Sequence, residues 1–292
     1  MIVKPLSPNR TRPRRVGRLI TETITVVIAG LVAFPLYWMV LSAIKPPGEL
    51  QSATPKPWTL APSWDSFSRV LSMNGFGRYF LNSLLVAVVV VAFSLLLSFL
   101  SAVALTRFRF RGRTVLLVMI LVAQMIPVEA LTIPLFFLMR SIGDAAPAFG
   151  LNELGSIILV DLVFSLPLAI WLLRGFTAAV PMELEEAAKI DGASRLRFTW
   201  QILMPLVLPG LAAVSVLSFI HAWNDFLFAK TFIISKTENQ TLPQAVLVFF
   251  KPEDTDWGAV MAASTLMTIP ALVVFILVQR KLVSGLDGAV KG

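Results

Sequence analysis

Six apolar blocks, each roughly long enough to cross a bilayer, dominate this chain. A transmembrane helix needs about 20 consecutive apolar residues. Backbone N–H and C=O groups cannot stay unpaired in lipid, so such blocks form helices. Charged residues make up only 14% of the 292 residues, against about 25% in soluble domains. The sequence therefore predicts an all-α membrane protein with six transmembrane helices, at residues 19–44, 81–105, 115–139, 155–173, 206–220 and 259–278.

The basic residues predict how these helices are oriented. Lysine and arginine collect in the cytoplasmic loops of membrane proteins. Most of the 25 lysines and arginines fall in four segments that alternate with the apolar blocks and would share one side: residues 1–18, 106–114, 174–197 and 280–292. Both termini are therefore expected in the cytoplasm, and the loop at 45–80 outside it. The first block is too long for a signal-peptide core, so residues 19–44 are interpreted as a retained span.

Several classes of function are excluded by what the sequence lacks. It has no cysteine and a single histidine, His221, so disulfides and histidine or cysteine metal sites are not expected. It has no Gly-Lys dipeptide and therefore no phosphate-binding loop for ATP. No serine forms an obvious pair with His221, so no catalytic residue is assigned. The net charge of +8 is explained by cytoplasmic loops, and no nucleic-acid partner is expected.

One charged stretch, EEAAKIDGASRLRFTWQILMPL at residues 185–206, interrupts the apolar sequence. Pro181 suits the first position of a helix, and Glu185 and Lys189 have the spacing of a stabilising i,i+4 pair. Gly192 is placed to end that helix in the left-handed conformation. Ser194 can then cap a second helix that runs to about residue 204. The stretch therefore predicts two short helices joined at a glycine turn.

The alanine pair within this stretch bears on what the stretch touches. Ala187 and Ala188 have small side chains, which would let another surface approach the backbone closely. One interpretation is an ordinary solvated cytoplasmic helix. The other is a short helix that docks in a groove of a partner protein.

The same residues resemble a known motif. Glu186-Ala187-Ala188, Gly192, Ile202 and Met204-Pro205 are similar to the EAA loop of ABC-importer permeases, which usually ends in Leu-Pro. The resemblance implies the type I importer transmembrane fold, with a core permease domain at 81–281 and a cytoplasmic coupling loop at 181–205. It also implies that the loop contacts a separate ATPase subunit. The residues expected to take part in that coupling are Glu185, Glu186, Ala187, Ala188, Asp191, Gly192 and Arg195.

Other stretches resemble one branch of that family. FLNSL at 80–84, WNDF at 223–226, QTLP at 240–243 and the ending GLDGAVKG are similar to the second permease subunit of carbohydrate importers of the maltose-importer type. In that family the tail lies between two ATPase subunits. The tail at 282–292 is rich in glycine, a poor helix former, so we expect residues 284–292 to be non-helical. The expected contacts with the ATPases are Gly288, Ala289, Val290, Lys291 and Gly292.

Polar residues inside the spans are candidates for a substrate pathway. Intramembrane polar groups usually face a bundle interior or a water-filled cavity, and Pro127 and Pro134 would loosen the third span. The alternative is that such residues only link helices by hydrogen bonds. The candidate pathway residues are Asn82, Gln124, Glu129, Asp161, Ser218 and Asn224. Candidate contacts with an extracytoplasmic binding protein are Thr237, Glu238, Asn239 and Gln240.

The resemblance implies an ATP-driven carbohydrate importer in the cytoplasmic membrane of a bacterium or archaeon. Its expected partners are a homologous permease, two ATPase subunits that hold ATP and Mg, a sugar-binding protein, and membrane lipid. Alternatives are an ABC importer for a polyol, glycerol phosphate or peptide, and a secondary transporter that works without ATP. The last would show inverted repeats and coupling carboxylates at the midplane; no repeat is evident, and Glu129 and Asp161 are the only candidates.

Overall fold

The computed structural model describes residues 15–251 and 255–289, and within those ranges every regular element is helical. Three 3-10 turns, Pro147–Phe149, Thr237–Asn239 and Val246–Phe249, and a π-helical turn, Phe198–Leu203, connect the α-helices. The all-α prediction is confirmed for this part of the chain. The α-helices are α1 (Arg15–Ile44), α2 (Pro47–Leu50), α3 (Asp65–Leu71), α4 (Phe76–Arg107), α5 (Arg113–Ala123), α6 (Val128–Ala145), α7 (Leu154–Ala179), α8 (Met182–Ile190), α9 (Arg195–Arg197), α10 (Met204–Leu206), α11 (Leu208–Trp223), α12 (Leu227–Phe232), α13 (Leu242–Ala245) and α14 (Trp257–Ala289).

Five of the six predicted spans appear as apolar segments long enough to cross a bilayer. The span predicted at 206–220 extends further in the structure, to Phe232, because the short helix α12 follows α11 after a break of three residues. The five segments are Gly17–Ile44, Phe76–Arg107, Leu154–Ala179, Leu208–Phe232 and Trp257–Lys281.

The remaining predicted span, residues 115–139, is not a single helix. Its two parts, α5 and α6, meet at an angle of 101°. Pro127 stands at the break with an extended backbone, φ −64° and ψ 125°. A proline lacks the N–H that would bond four residues back and pushes the residue before it out of the helical conformation. The loosening expected of this span is therefore a full break at Pro127; Pro134, by contrast, lies inside α6 without ending it.

The helix α4 is at the centre of the bundle. It packs against α7 and α11, while α14 packs against α1 and α11. An outer cluster of apolar side chains includes Val86, Phe219 and Trp223, and the Trp223 ring nitrogen donates to the Met267 carbonyl at 2.9 Å. We call the second cluster the inner cluster; it joins the ends of the spans to the predicted coupling loop and contains Phe99, Val103, Leu173, Ala188, Phe198, Leu203 and Val214.

Small residues allow these helices to approach closely. The buried hydroxyls of Ser94 in α4 and Ser218 in α11 share a hydrogen bond of 3.0 Å. A Cβ added to Gly210 would lie 2.6 Å from the ring of Phe176, so α11 needs glycine where it crosses α7. Close backbone approach and hydroxyl pairs of this kind associate helices in lipid, where apolar packing alone gives no preference over lipid contact.

The last helix continues beyond the expected end of the membrane span. Its backbone is helical to Ala289, so the expectation of a non-helical tail is wrong for residues 284–289. Extending an existing helix needs no new nucleus, and each glycine costs only about 1 kcal/mol relative to alanine. The expected contacts Val290, Lys291 and Gly292 lie outside the described residues.

A tight connection between α6 and α7 depends on three glycines. A Cβ added to Gly143 would lie 2.8 Å from the Cα of Gly150. A Cβ added to Gly155, at the start of α7, would lie 2.1 Å from the carbonyl oxygen of Ala148. Neither contact is possible in a real structure without moving the backbone, so the two helices can be joined this closely only by glycine.

We predict that Gly155→Ala destabilises the protein, while Gly175→Ala in the same helix does not. The first change forces the backbone apart, at a cost of about 1–3 kcal/mol typical of overpacking. The second places a methyl group where no atom lies within 4 Å. Thermal unfolding of the two detergent-solubilised variants, followed by loss of the monodisperse chromatographic peak, measures the difference. Equal stability of the two variants would contradict the close contact at Gly155.

Candidate functional site

The predicted coupling loop begins with the short helix α8. Pro181 directly precedes the helix, with φ −58° and ψ 143°, and Met182 is its first residue. The side chains of Glu185 and Lys189 form the expected ion pair at 2.9 Å. Glu183 and Glu185 lie in the first turn, where negative charge interacts favourably with the helix dipole. The helix predicted from the sequence is therefore present, with a start displaced by one residue.

A glycine turn ends α8 as predicted. Gly192 has φ +80°. Its N–H donates to the Lys189 carbonyl at 3.1 Å, and the Ala193 N–H donates to the Ala188 carbonyl at 2.9 Å. These two bonds define a Schellman motif, which satisfies the last carbonyls of a helix. A Cβ at Gly192 would meet no atom within 4 Å, so the glycine is required by the backbone conformation and not by lack of space.

The second half of the loop departs from a regular α-helix. Ser194 caps it as predicted, since its hydroxyl accepts the Arg197 N–H at 3.2 Å. After α9 the backbone widens into the π-helical turn Phe198–Leu203, which ends two residues before Pro205. A proline ring clashes with the carbonyl four residues back, here that of Gln201, and a π turn relieves such a clash by opening the ladder. The expected single helix to about residue 204 is therefore interrupted.

The coupling residues predicted from the sequence divide between an exposed and a buried side. Glu186, Ala187, Asp191, Gly192 and Arg195 are exposed, while Glu185 is partly buried. Ala188 is only 5% exposed and belongs to the inner cluster. The structure therefore does not bring both alanines to one outer surface: Ala187 faces outward, and Ala188 packs inside this chain.

Two apolar residues on the exposed side of the loop were missed by the sequence reasoning. Ile190, just before the turn, is 86% exposed, and Leu196, just after it, is 70% exposed. A signal was present in the sequence, because both are large apolar residues among charged neighbours in a segment that leaves the membrane. Exposed apolar residues beside charged ones are typical of a surface that meets another protein.

An arginine at the end of α4 fixes the predicted coupling loop to the spans. Arg107, the last residue of α4, donates from Nη2 to the carbonyls of Thr177 and Val180 at 3.1 and 2.9 Å. Its Nη1 lies 2.6 Å from the Met182 sulfur. The guanidinium of Arg195 lies 5.6 Å from the centre of the Phe108 ring. Arg107 therefore links the end of α4 to the end of α7 and the start of α8.

On the opposite side of the membrane, Asn152 organises the predicted binding-protein surface. It has φ +66°, and its side-chain oxygen accepts the N–H groups of Ile234 and Ser235, both at 2.8 Å. Asn239 donates to the Asn152 carbonyl at 2.7 Å. Sequence reasoning missed this residue, although asparagine is among the few non-glycine residues enriched at positive φ.

A turn at residues 237–240 is fixed by two further contacts. Asn82 in α4 donates to the carbonyls of Glu238 and Gln240 at 2.9 and 2.8 Å. Lys236 forms a hydrogen-bonded ion pair with Glu153, and this bond and the Glu153 charge raise the pKa of Lys236 above its ordinary value. Thr237 and Glu238 are exposed on this turn, while Asn239 and Gln240 are half-buried. Asn82 therefore supports the turn, and its side-chain nitrogen is already occupied by the loop backbone.

The six predicted pathway residues do not form one site. Gln124 and Glu129 are exposed on either side of the break between α5 and α6. Asp161 is fully buried, and its carboxylate lies 3.8 Å from Nε2 of His221. Ser218 pairs with Ser94, and Asn224 donates to the Ile220 carbonyl at 2.9 Å. Asn82 and Asn224 are both held in backbone contacts, near the start of α4 and the end of α11.

A small cavity lies between α7 and α11 near the buried carboxylate. Its volume is about 120 Å³, and Ser165, Ser218 and His221 supply its polar lining. The rest of its lining is apolar, from Phe164, Leu168, Ala169, Val214 and Leu217. Among the described residues, no group of three histidine, aspartate or glutamate side chains is positioned to hold a metal ion.

Comparison with known proteins identifies the family. The family model of the binding-protein-dependent transport system inner membrane component matches residues 94–288. The chain is 40% identical to the diacetylchitobiose uptake system permease protein DasC of Streptomyces coelicolor, over 92% of this chain and 95% of that protein. It is 35% identical to the alpha-glucoside transport system permease protein AglG of Rhizobium meliloti, over 82% of this chain and 62% of that protein.

The fold also has a counterpart among solved structures. It is similar to a chain in the crystal structure of a bacterial ABC transporter involved in the import of alginate, an acidic polysaccharide, with a TM-score of 0.73. The similarity covers 94% of this chain and 99% of that chain at 22% identity. The matched family, the two relatives and the shared fold agree with the EAA-type loop between α7 and α11. The chain belongs to the binding-protein-dependent transport system inner membrane components, the permease subunits of ABC importers.

Proposed function

We propose that this chain moves a carbohydrate across the cytoplasmic membrane of a bacterium or archaeon, driven by ATP hydrolysis on separate subunits. The single observation that carries the proposal is the coupling loop: a short helix ended by a Schellman turn at Gly192, with exposed Ile190 and Leu196 on either side of the turn. A rigid protrusion with an apolar tip and charged flanks fits a cleft in a partner protein. We assign that partner as an ATPase subunit.

Motion of the loop would reach the membrane spans through its buried side. Ala188, Phe198 and Leu203 of the loop pack with Phe99 of α4 and Leu173 of α7 in the inner cluster. Packed interiors transmit displacement because they are dense and have little free volume. Closure of the ATPases on the exposed side of the loop would therefore move the inner ends of α4, α7 and α11 together.

The polar contacts of Arg107 would make α8 move together with the ends of the spans. The guanidinium bonds to carbonyls at the end of α7 and contacts the first residue of α8. A charge-assisted hydrogen bond is stronger than a neutral one, so α8 would move with the ends of α4 and α7 and not slide past them. The chain then alternates between inward-open and outward-open states, with the ATPases and the substrate-loaded binding protein each favouring one of them.

The assembly follows from the family and from the two ends of the spans. The chain lacks a phosphate-binding loop, so ATP and Mg would be held by two copies of an ATPase. A homologous permease would complete the translocation pathway. The fixed turn at 237–240, with exposed Thr237 and Glu238, would contact the extracytoplasmic sugar-binding protein.

The substrate class rests on the relatives. DasC and AglG are named as diacetylchitobiose and alpha-glucoside transport proteins, and the structure with the similar fold comes from an importer of a polysaccharide. Carbohydrates are recognised by hydrogen-bonding groups beside apolar surface, and Gln124 and Glu129 at the α5–α6 break offer such groups in an exposed position. We therefore favour an oligosaccharide over the polyol, glycerol phosphate or peptide alternatives.

The first prediction tests whether ATP hydrolysis and sugar transport belong to different subunits. The chain purified alone should hydrolyse no ATP, whereas vesicles that contain it with its ATPase, second permease and binding protein should take up a labelled oligosaccharide when ATP is supplied. Uptake is measured with and without ATP for di- and trisaccharides, with a polyol and a dipeptide as controls. ATP hydrolysis by the isolated chain, or uptake of the controls but not of any sugar, would contradict the proposal.

The second prediction tests the coupling loop. Gly192→Val should lower sugar uptake, because a β-branched residue at φ +80° carries about 1–3 kcal/mol of strain. Gly192→Asn is the matched control and should retain most of the uptake, because asparagine tolerates this conformation. Glu186→Lys, which reverses an exposed charge, should also lower uptake. All three variants should leave the affinity of the binding protein for sugar unchanged.

Two results would count against this assignment. If Gly192→Val and Glu186→Lys transport normally at normal abundance, the loop is not the docking element. If Gly192→Asn is as defective as Gly192→Val, the requirement at this position is not the backbone conformation.

The third prediction concerns the C-terminal tail. We propose that residues 286–292 contact the ATPases, and that their deletion leaves the permease in the membrane at normal abundance but lowers sugar-stimulated ATP hydrolysis. The chain has no native cysteine, so cross-linking from Ala289→Cys reports one position alone and should capture an ATPase subunit. A truncated protein that hydrolyses ATP and imports sugar like the parent would show that the tail is dispensable.

A further inference from the structure

A short apolar segment of the first extracytoplasmic loop folds back along the side of α1. Residues 58–62, Trp-Thr-Leu-Ala-Pro, contain no charged side chain. Leu60 is 91% exposed and Trp58 is 57% exposed. In a loop that faces water, side chains this large and apolar would be unfavourably exposed. The position of the segment relative to the membrane therefore decides what covers it.

Three hydrogen bonds hold this loop segment against α1. The Lys45 ammonium donates to the Lys56 carbonyl at 2.5 Å. The Tyr37 hydroxyl donates to the Pro57 carbonyl, and the Ser63 N–H donates to the Ile44 carbonyl at 2.8 Å. The chain therefore descends beside α1 to a level between Lys45 and Tyr37 and returns to the level of Ile44.

Lys45, which donates the first of these hydrogen bonds, has a second favourable contact. Lys45 is only 3% exposed, and its ammonium also lies 5.0 Å from the centre of the Trp38 ring. A lysine charge at the edge of a bilayer is stabilised by a carbonyl and by the face of an aromatic ring. The pairing of Lys45 with the Lys56 carbonyl therefore does not require bulk water around the loop.

The length of α1 places the segment at lipid depth. Arg18 and Glu22 form an ion pair near the other end of the helix, which belongs in the inner headgroup region. About 30 Å of hydrocarbon corresponds to about 20 residues of helix. Counted from Glu22, the outer boundary falls near Ser42, so Tyr37 lies inside the hydrocarbon region. Pro57, bonded to Tyr37, and the apolar residues that follow it then lie at or below that boundary.

The neighbouring surface of α1 supports lipid contact. Leu36, Tyr37 and Val40 are exposed on the same stretch of the helix, and an apolar span that presents such residues outward is bordered by lipid. Tryptophan is enriched at the membrane–water interfaces, and Trp58 directly follows Pro57, whose carbonyl is held by Tyr37 close to that boundary. The apolar segment is thus continuous with a lipid-facing helix surface.

We propose that residues 58–62 form a membrane anchor that inserts into the outer leaflet beside α1, with lipid acyl chains as its partner. The anchor would fix the height of the extracytoplasmic loop on the membrane. The inference depends on the geometry of α1 and its loop, not on the identity of the transported substrate.

Site-directed spin labelling tests the proposal in the assembled importer, reconstituted in phospholipid vesicles. A nitroxide is attached at Leu60→Cys or at Ala53→Cys, and both positions are exposed. Residue 53 precedes the stretch that the three hydrogen bonds hold against α1. Collisions are measured with oxygen, which concentrates in lipid, and with a nickel chelate, which stays in water. We expect a higher ratio of oxygen to nickel collisions at residue 60 than at residue 53.

Two outcomes would overturn the anchor. Nickel collisions at residue 60 as frequent as at residue 53 would show that the segment lies in water. Few collisions with either reagent would show that a protein subunit covers it.

A second variant tests the hydrogen bond that sets the depth. Tyr37→Phe keeps the aromatic ring but removes the hydroxyl that donates to Pro57, and it should raise nickel collisions at the residue-60 label. An unchanged ratio would show that this bond does not hold the segment in the membrane.

Discussion

The packing of the cytoplasmic loop into the ends of the spans is the interaction on which the rest of this permease depends. Ala188, Phe198 and Leu203 belong to the loop by sequence but to the core by position, because they share the inner cluster with Phe99 and Leu173. A loop bound only by its two chain ends would move independently of the spans. Buried on one side and exposed on the other, this loop is a surface extension of the transmembrane core.

Much of this architecture could be predicted from apolar length alone. Five spans follow from the rule that backbone groups must be paired inside lipid, and the turn at Gly192 follows from the helix-ending role of glycine. The sequence does not distinguish Pro127, where the helix breaks, from Pro134 in the same apolar run, where the helix continues. In a sequence, a proline shows only that one backbone N–H donor is missing. Whether the helix bends or ends there depends on the packing of its two halves.

The candidate site was harder to predict because side chains of one type serve different purposes. Asn82 and Asn152 were indistinguishable from pathway residues or ordinary loop residues in the sequence. In the structure they hold the backbone of the outer turn by hydrogen bonds. Ala187 and Ala188 are identical neighbours, yet a rotation of about 100° per residue sends one outward and the other into the core. Ile190 and Leu196 stand out in the sequence as apolar residues among charged ones, but only the structure shows that both side chains are exposed.

The bend between α5 and α6 limits what can surround it inside the membrane. Because Pro127 has no N–H, the carbonyl of Ala123 loses the donor that a continuous helix would supply. Hydrocarbon cannot replace that donor, so irregular backbone at membrane depth is stable only beside protein or water. The corner formed by the two helices must therefore face water or another protein chain and not lipid, and the exposed Gln124 and Glu129 lie on either side of it.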